Sequence, residues 1–259
     1  MIRIALNLDC AMKITVAKVA YDRGSLPDGG SVDGTPIYHV KESFLDEQAD
    51  QCIQVVDLSW DRKIAFYLDD ILNPNECRKF IEITETLGFD PAAPGIQTPP
   101  GMRQNQTVHW IANAQDMQNI YNRIEPLLPP TIDNRRLAGE LSQRINTYRY
   151  ISGEQFRPHL DGDWPAFGLD KTGTYMEVRP SGRSMLSMIL YLNGQEDGIE
   201  GGDTLLLEGQ TVKHRVTPKA GRALFFRHGI HAESVLHAGD IVRGNTPKYV
   251  ARINVMYEQ

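Results

Sequence analysis

The sequence has few cysteines, no excess of positive charge and no long apolar run. Its 259 residues contain three cysteines, Cys10, Cys52 and Cys77, and no two of them form a CxxC pair. A disulfide framework and a cysteine zinc site are therefore excluded, because both need more cysteines at closer spacing. We interpret the three as free thiols, consistent with a reducing compartment.

The charge balance argues against two classes of partner. Lys and Arg total 27 and Asp and Glu total 33, which gives a net charge of -6. Proteins that bind nucleic acid or anionic membranes usually carry a basic excess. No apolar run approaches the roughly 18 residues of a membrane span, and the start of the chain is a poor signal peptide. We expect no nucleic-acid partner, no membrane association and a cytoplasmic location.

The chain divides into three zones. Residues 1–58 contain no recognisable catalytic or ligand-binding motif, and we expect them to form an N-terminal extension that packs on the core. Residues 59–140 form a helical support region, in which Asn73, Pro74 and Glu76 predict a capped helix start and Gly88 predicts its end. A second helix is predicted over 114–127.

Residues 141–259 are predicted to form the main core of the chain. Here short apolar runs alternate with Gly, Pro and Asp turns, which is typical of a barrel or sandwich. The predicted strands are 144–151, 155–160, 184–192, 203–207, 212–216, 222–226, 233–237 and 248–257. We therefore predict one mainly β domain with flanking helices, of class α+β.

A candidate metal site begins at His159 and Asp161. Residues two apart on a strand project to the same face, so both side chains can reach one ion. An imidazole nitrogen with a carboxylate oxygen suits iron(II), and also zinc or manganese. A third ligand must come from far along the chain. His228, His231 and His237 are candidates, and His237 is best placed because it ends an apolar run. We interpret the other two as solvated loop residues, and the alternative is that either of them is a hydrogen-bond partner of the metal ligands.

The last predicted strand places Lys248, Val250 and Arg252 on one face. A cation that points into a barrel is costly unless it meets an anion. Two inward cations beside a metal suggest an anionic cosubstrate such as a dicarboxylate. An edge strand with two solvated cations is the alternative.

Together these segments resemble the iron(II)- and 2-oxoglutarate-dependent dioxygenases of the prolyl 4-hydroxylase type. The matching blocks are Tyr150, Gly153 and Phe156 with Pro158-His159-Leu160-Asp161-Gly162, then Leu190-Tyr191-Leu192-Asn193, Gly201-Gly202-Asp203-Thr204, Pro218 to Phe226, Ser234 to Gly239, and Gly244 with Lys248-Tyr249-Val250. The run from Tyr67 to Cys77 also resembles the family's entry into its first helix. The first 58 or so residues lie outside the resemblance.

The resemblance implies a double-stranded β-helix (jelly-roll) core and a set of site residues. His159, Asp161 and His237 would be the catalytic iron ligands, and Fe(II), 2-oxoglutarate and O2 would be required, with ascorbate as a reductant. The 2-oxoglutarate site would include Lys248, Tyr191, Tyr150 and Thr204, and Arg252 is the alternative to Lys248 for the distal carboxylate. The spacing from His237 to Lys248 is one residue longer than the family's usual spacing, and the loop at Thr246-Pro247 would absorb it.

The implied reaction is hydroxylation of an unactivated C–H bond, with release of succinate and CO2. The substrate would be an amino acid, a proline-like peptide or another small molecule. Arg103 and Asn105 would border the substrate, Trp164 would form a wall of the entrance, and the polar stretch from Asp170 to Gly182 would be a lid. A jelly-roll protein that binds metal without oxygenase activity remains the alternative.

Overall fold

The structure is a computed structural model that describes residues 14–18, 36–46, 52–91, 99, 101–172 and 176–258. Within these ranges the chain forms two facing β-sheets, and two α-helices cover the outer face of the larger one. The predicted mainly β class with a jelly-roll core and flanking helices is confirmed.

The larger sheet holds most of the strands. Its central path has the order β1-β2-β5-β8-β18-β11-β15-β4-β3, with β7 and β10 paired to its inner strands and β6 paired to β7. The ranges are β1 Ile14–Lys18, β2 Pro36–Val40, β3 Gln54–Asp57, β4 Ala65–Asp69, β5 Gln106–Ile111, β6 Thr131–Ile132, β7 Arg135–Leu141, β8 Arg144–Tyr150, β10 Pro165–Leu169, β11 Met176–Tyr191, β15 Ala223–Arg227 and β18 Lys248–Tyr257. All these pairs are antiparallel except β2 with β5, which is parallel.

The smaller sheet faces this path and has the order β14-β13-β16-β9. Its strands are β9 Phe156–His159, β13 Thr204–Glu208, β14 Thr211–Val216 and β16 Leu236–Gly239. A further pair joins β12 Glu200–Gly201 to β17 Val242–Arg243, and Gln195–Asp197 forms a short 3-10 helix.

The first helix, α1 Pro74–Leu87, has the predicted start and end. The Asn73 side chain accepts from the backbone N–H of Asn75 and Glu76, and the Glu76 carboxylate accepts from Asn73 N–H at 2.8 Å. This reciprocal capping box satisfies N–H groups that the first turn leaves free. Gly88 ends the helix with φ 86°, a backbone conformation that favours glycine. The second helix, α2 Ala114–Ile124, continues into a 3-10 turn at Glu125–Leu127.

Two hydrophobic cores divide the side chains of the larger sheet. Along β18, Ala251, Ile253 and Val255 belong to the core under the helices, whereas Lys248, Val250 and Arg252 line a cavity on the opposite face. The prediction that these three share one face is confirmed. Between the sheets, a second core joins strands of both, and includes Leu206 and Val216 of the smaller sheet and Tyr148, Tyr191 and Phe226 of the larger.

Three sequence-based expectations differ from the structure. Residues from Met176 onward in the expected lid are the first half of β11 and form a hairpin with β10, while residues 173–175 lie outside the described residues. Backbone hydrogen bonds to β10 stabilise this hairpin, so the polar composition of the stretch does not indicate that it forms a strand. The strand expected at 233–237 begins at Leu236, because Ser234 Oγ donates to Gly229 O and closes a turn. The expected helical region also supplies β4 and β5 to the larger sheet.

The N-terminal zone contributes strands where it is described. β2 pairs with β5 and β3 pairs with β4 at the opposite edge of the larger sheet. Cys52 is exposed and Cys77 is buried, both as free thiols, and Cys10 lies outside the described residues. Among the described helices, none is long and apolar enough to cross a membrane.

Candidate metal centre

His159 and His237 lie directly opposite each other on neighbouring antiparallel strands, β9 and β16. Their ring centroids are 4.2 Å apart. Asp161 follows β9 by two residues, and its Oδ1 lies 3.7 Å from His159 Nε2 while its Oδ2 lies 3.8 Å from His237 Nε2. One ligand atom from each of the three residues lies within 4.8 Å of the others. The structure therefore brings the three predicted ligands together.

Backbone carbonyls select the tautomer of both imidazoles. His159 Nδ1 lies 2.8 Å from Arg157 O, and His237 Nδ1 lies 3.1 Å from Val235 O. A carbonyl oxygen only accepts, so each Nδ1 carries the proton. Each Nε2 then presents its lone pair to the site, which is the arrangement that metal-bound histidines use.

The protonation states also suit a cation. Burial, followed by the neighbouring His237, lowers the pKa of His159 to about 3, and burial lowers that of His237. Burial alone would raise the pKa of Asp161, but the Arg252 guanidinium and the two histidines outweigh it and hold this pKa below its usual range. Neutral imidazoles and an ionised carboxylate are the forms that bind metal.

This donor set fits the predicted ion. Two imidazole nitrogens and one carboxylate oxygen leave coordination positions open, as in non-haem iron(II) oxygenases. Phe156 stacks on His159 with ring centroids 3.5 Å apart and an interplanar angle of 16°, and Phe226 lies 4.3 Å from His237. These rings fix both imidazoles in place and surround them with apolar surface.

Asp161 has two further partners on its Oδ2 atom. Ser187 Oγ donates to it at 2.6 Å, and Arg252 Nε lies 3.1 Å away. Arg252 also donates from Nη2 to Gly162 O at 3.1 Å. Two of the three guanidinium nitrogens, Nε and Nη2, thus contact oxygens beside the metal ligands.

A cavity of about 470 Å³ opens beside the triad. This figure includes space that is open to solvent. It is lined by the three triad residues together with Tyr148, Tyr150, Phe156, Ile189, Thr204, Ala238, Gly239, Lys248, Val250 and Arg252. Of the predicted 2-oxoglutarate residues, Tyr150, Thr204, Lys248 and Arg252 belong to this lining.

Lys248 is a buried cation at this cavity. Its Nζ donates to Gly202 O at 2.5 Å and lies 5.5 Å from the ring centroids of both Tyr150 and Tyr191. Burial lowers the pKa of its ammonium to about 8, against the opposing effect of Asp203 and Asp240. Tyr191 is placed behind the lining, where its hydroxyl donates to Thr204 Oγ1 at 2.7 Å.

The three predicted substrate residues have different environments. The Arg103 guanidinium lies over the rings of Tyr148 and Phe156, at 4.5 Å and 5.2 Å from their centroids. The Asn105 side chain is buried and accepts from Arg103 Nε at 2.9 Å, so it orients the guanidinium.

Trp164 instead packs in a separate core with Ile111, Phe167 and Met176. It does not line the cavity, so the expectation that it forms a wall of the entrance is wrong; its apolar surface is used for packing.

The expectation that His228 is a solvated loop residue is also wrong. Its side chain is 4% exposed, and its Nδ1 lies 2.8 Å from Ser187 Oγ. His231, in the same loop, is exposed as expected. Ser187 was missed as well, although its alternation with Ile189 and Tyr191 along β11 places it on the face of the strand that points to the site.

Comparisons with known proteins agree with this site. Residues 145–256 match the family model described as the 2OG-Fe(II) oxygenase superfamily. No curated protein sequence matches the chain.

Two solved structures share the fold. The viral collagen prolyl hydroxylase from Paramecium Bursaria Chlorella virus-1, in its 2OG complex, is 21% identical with a TM-score of 0.50, over 74% of this chain and 94% of that one. A prolyl hydroxylase from Trichoplax adhaerens, in complex with a peptide fragment of the hypoxia inducible factor oxygen degradation domain, is 14% identical with a TM-score of 0.50, over 74% and 83%.

Proposed function

We propose that this chain, whose residues 145–256 form a domain of the 2OG-Fe(II) oxygenase superfamily, hydroxylates an unactivated C–H bond of its substrate. One oxygen atom of O2 would enter the new alcohol and the other would enter succinate, with CO2 released from 2-oxoglutarate. The single observation that carries this proposal is the convergence of His159, Asp161 and His237, in metal-binding protonation states, at the wall of one cavity.

His159, Asp161 and His237 would hold the iron. When bound, iron(II) and 2-oxoglutarate would supply the oxidising power, which no side chain of the protein has. The chain's own residues orient the ligands through Arg157 O and Val235 O and surround the imidazoles with Phe156 and Phe226. Such apolar surface excludes water from the reacting atoms.

Lys248 is proposed to bind the distal carboxylate of 2-oxoglutarate. Its ammonium is buried at the cavity and is bonded to a neutral carbonyl, whereas the alternative, Arg252, is already ion-paired with Asp161. Tyr150 and Thr204 would line the same pocket. Tyr191 would act through Thr204, because its hydroxyl donates a hydrogen bond to Thr204 Oγ1.

The substrate is proposed to enter past Arg103, and Asn105 would orient the Arg103 guanidinium. Tyr148 and Phe156 lie under the Arg103 guanidinium and also line the cavity, so they connect this cation with the metal centre. The substrate is proposed to be an amino acid, a short proline-like peptide or another small molecule. Ascorbate would serve as reductant for the iron.

Succinate formation tests the proposal. Purified protein would be supplied with iron(II), ascorbate and 2-oxoglutarate, together with a panel of free amino acids and proline-containing peptides. We expect succinate to form only when iron is present, and Asp161→Ala and His237→Ala to abolish it. His231→Ala is the matched control, because this exposed histidine lies in the loop that leads into β16. A protein that binds iron but consumes no 2-oxoglutarate with any substrate would contradict the proposal.

The alternative is a jelly-roll protein that binds metal without oxygenase activity. It predicts zinc or manganese in the purified protein and no binding of 2-oxoglutarate. Metal analysis followed by calorimetric titration with 2-oxoglutarate separates the two functions.

A further inference from the structure

A chain of buried hydrogen bonds leads away from Asp161 into the larger sheet. Ser187 Oγ lies 2.6 Å from Asp161 Oδ2 and 2.8 Å from His228 Nδ1. On the far side of the ring, His228 Nε2 lies 2.8 Å from Ser184 Oγ. Ser184 Oγ in turn accepts from Trp164 N–H at 2.9 Å. Ser184, Ser187 and His228 are each less than 5% exposed, so water does not compete for these bonds.

The direction of the bonds follows from counting protons. A serine hydroxyl has a single proton to donate, and an ionised carboxylate can only accept. Ser187 must therefore donate to Asp161, and it has only lone pairs left for His228. It follows that His228 Nδ1 carries a proton and donates to Ser187.

The other ring nitrogen is an acceptor. If His228 were a cation, Nε2 would also donate, and the Ser184 hydroxyl proton would have no acceptor among the described residues. A cation would also be buried near the Arg252 guanidinium. Burial and Arg252 together lower the pKa of His228 to about 4. The neutral Nδ1–H tautomer gives a partner to each donor and acceptor in this series of hydrogen bonds from Asp161 to Trp164 N–H.

The chain has a consequence for the two oxygens of Asp161. Oδ2 accepts a hydrogen bond from the Ser187 hydroxyl and forms an ion pair with Arg252, whose Nε lies 3.1 Å away. Within the described part of the molecule, Oδ1 receives no hydrogen bond, and it is the oxygen nearer to His159 Nε2, at 3.7 Å. The carboxylate is thereby held in one orientation, with Oδ1 left for a metal ion.

We infer that His228 is a positioning residue for the metal centre: in its neutral Nδ1–H form it fixes Ser187 as a donor to Asp161 Oδ2, and so presents Oδ1 as the metal ligand. The inference rests on the proposed function of Asp161. It assigns His228 to an indirect role, because the ring contacts Ser187 and Ser184 rather than the ion. Second-layer partners of this kind typically change metal affinity by about 10- to 100-fold.

The first test reads the tautomer directly in the unaltered protein. In metal-free protein labelled with nitrogen-15, long-range proton–nitrogen correlation spectra distinguish a protonated ring nitrogen from an unprotonated one. At pH 7 we expect Nδ1 of His228 to be protonated and Nε2 to be unprotonated. The exposed His231 serves as the reference for a solvated ring. An Nε2–H tautomer or a doubly protonated His228 would overturn the inference without touching the proposed oxygenase function.

The second test measures metal affinity in the absence of turnover. Binding of manganese(II) would be followed by electron paramagnetic resonance for the unaltered protein and for Ser187→Ala, His228→Leu and His228→Asn. We expect about 10- to 100-fold weaker binding in the first two. The asparagine amide can still donate toward Ser187, so His228→Asn should recover part of the loss.

The double variant Ser187→Ala/His228→Leu supplies the decisive comparison. Because both residues act through one series of hydrogen bonds, their effects on manganese(II) affinity should not add. The double variant should bind manganese(II) no more weakly than whichever single variant has the lower affinity. His231→Leu should bind normally. If the unaltered protein binds no manganese(II), the proposed function fails; if it binds and Ser187→Ala binds equally well, only the role of His228 fails. Thermal unfolding of each metal-free variant checks the fold, and the tautomer measurement decides the question where a variant does not fold.

Discussion

Lys248 and Arg252 lie on the same face of β18, yet among the described residues only Arg252 has a carboxylate within ion-pair distance. Arg252 Nε is 3.1 Å from Asp161 Oδ2, whereas Lys248 Nζ donates to the neutral carbonyl of Gly202. Four residues separate them, so one strand presents one cation to the metal ligands and a second cation to the rest of the cavity. We therefore expect the two cations to support the binding of different ligands.

Substitution of each cation should therefore affect a different ligand. Lys248→Met should weaken 2-oxoglutarate binding by about 10- to 150-fold, because a hydrogen bond to a charged group contributes about 1.5–3 kcal/mol. Arg252→Met should weaken manganese(II) binding and leave 2-oxoglutarate binding to the loaded protein nearly unchanged. Calorimetric titrations of both variants with both ligands measure this. The reverse pattern would make Arg252 the carboxylate partner.

Arg103→Ala should raise the KM for substrate while leaving substrate-independent consumption of 2-oxoglutarate near its normal rate. The guanidinium is held over Tyr148 and Phe156, which line the cavity, and a lost hydrogen bond from this charged group to the substrate would cost about 1.5–3 kcal/mol, or roughly 10- to 150-fold in affinity. Steady-state assays of both activities measure the effect. Arg157→Ala is the control, because this arginine is exposed one residue beyond Phe156. Equal losses in both activities would show that Arg103 supports the metal centre instead.

The metal-free protein should lose stability as the pH falls below about 6.5. The pKa values of His159 and His228 are lowered to about 3 and about 4, so both rings are neutral when folded and take up protons when the chain unfolds. The contribution of these two neutral rings to the free energy of unfolding is complete above their unfolded pKa near 6.5. It is lost as the pH falls toward their pKa values in the folded protein. Each ring should change the free energy of unfolding by ~1 kcal/mol per pH unit in this window.

Urea unfolding of metal-free protein at a series of pH values measures this slope. His228→Leu should lower the slope by the contribution of one proton, whatever its effect on overall stability. His231→Leu should leave the slope unchanged. A slope that is the same in His228→Leu would mean that this histidine already titrates normally in the folded protein.

Glu76 should be among the most sensitive positions for stability. It is fully buried at the start of α1, where its carboxylate accepts two hydrogen bonds from Arg123 at 3.0 and 2.8 Å as well as backbone N–H bonds from Asn73 and Asp46. Glu76→Ala would leave the Arg123 guanidinium without this carboxylate, which typically costs about 3–5 kcal/mol. Chemical denaturation measures the loss. Glu82→Ala, exposed on the same helix, should change stability by less than about 0.5 kcal/mol.

Much of the fold followed from local signals. Asn73, Pro74 and Glu76 determine the start of α1 through bonds within four residues of each other, so the sequence is sufficient to predict it. The alternation of Lys248, Val250 and Arg252 likewise depends only on the twofold repeat of a strand. The resemblance to iron(II)- and 2-oxoglutarate-dependent oxygenases agrees with the superfamily model that matches residues 145–256.

The missed features depend on distant parts of the chain. His228 is buried because Ser187 and Ser184, more than 40 residues earlier, face it across the sheet. Trp164 joins Ile111 and Phe167 in a core that no local pattern indicates. The hairpin at Met176 depends on its register with β10 and on the packing of Met176 and Phe167 against Trp164. Sequence spacing alone contains none of these pairings.

The bond from Lys248 Nζ to Gly202 O changes what cosubstrate binding requires. Because the ammonium was desolvated when the chain folded, an arriving dicarboxylate does not have to strip water from the cation. Binding becomes a swap of acceptors, in which the neutral carbonyl of Gly202 is replaced by a charged carboxylate oxygen. A Cβ at Gly202 would lie 3.1 Å from Lys248 Cδ, so glycine at this position leaves the lysine stem the space in which to make that swap.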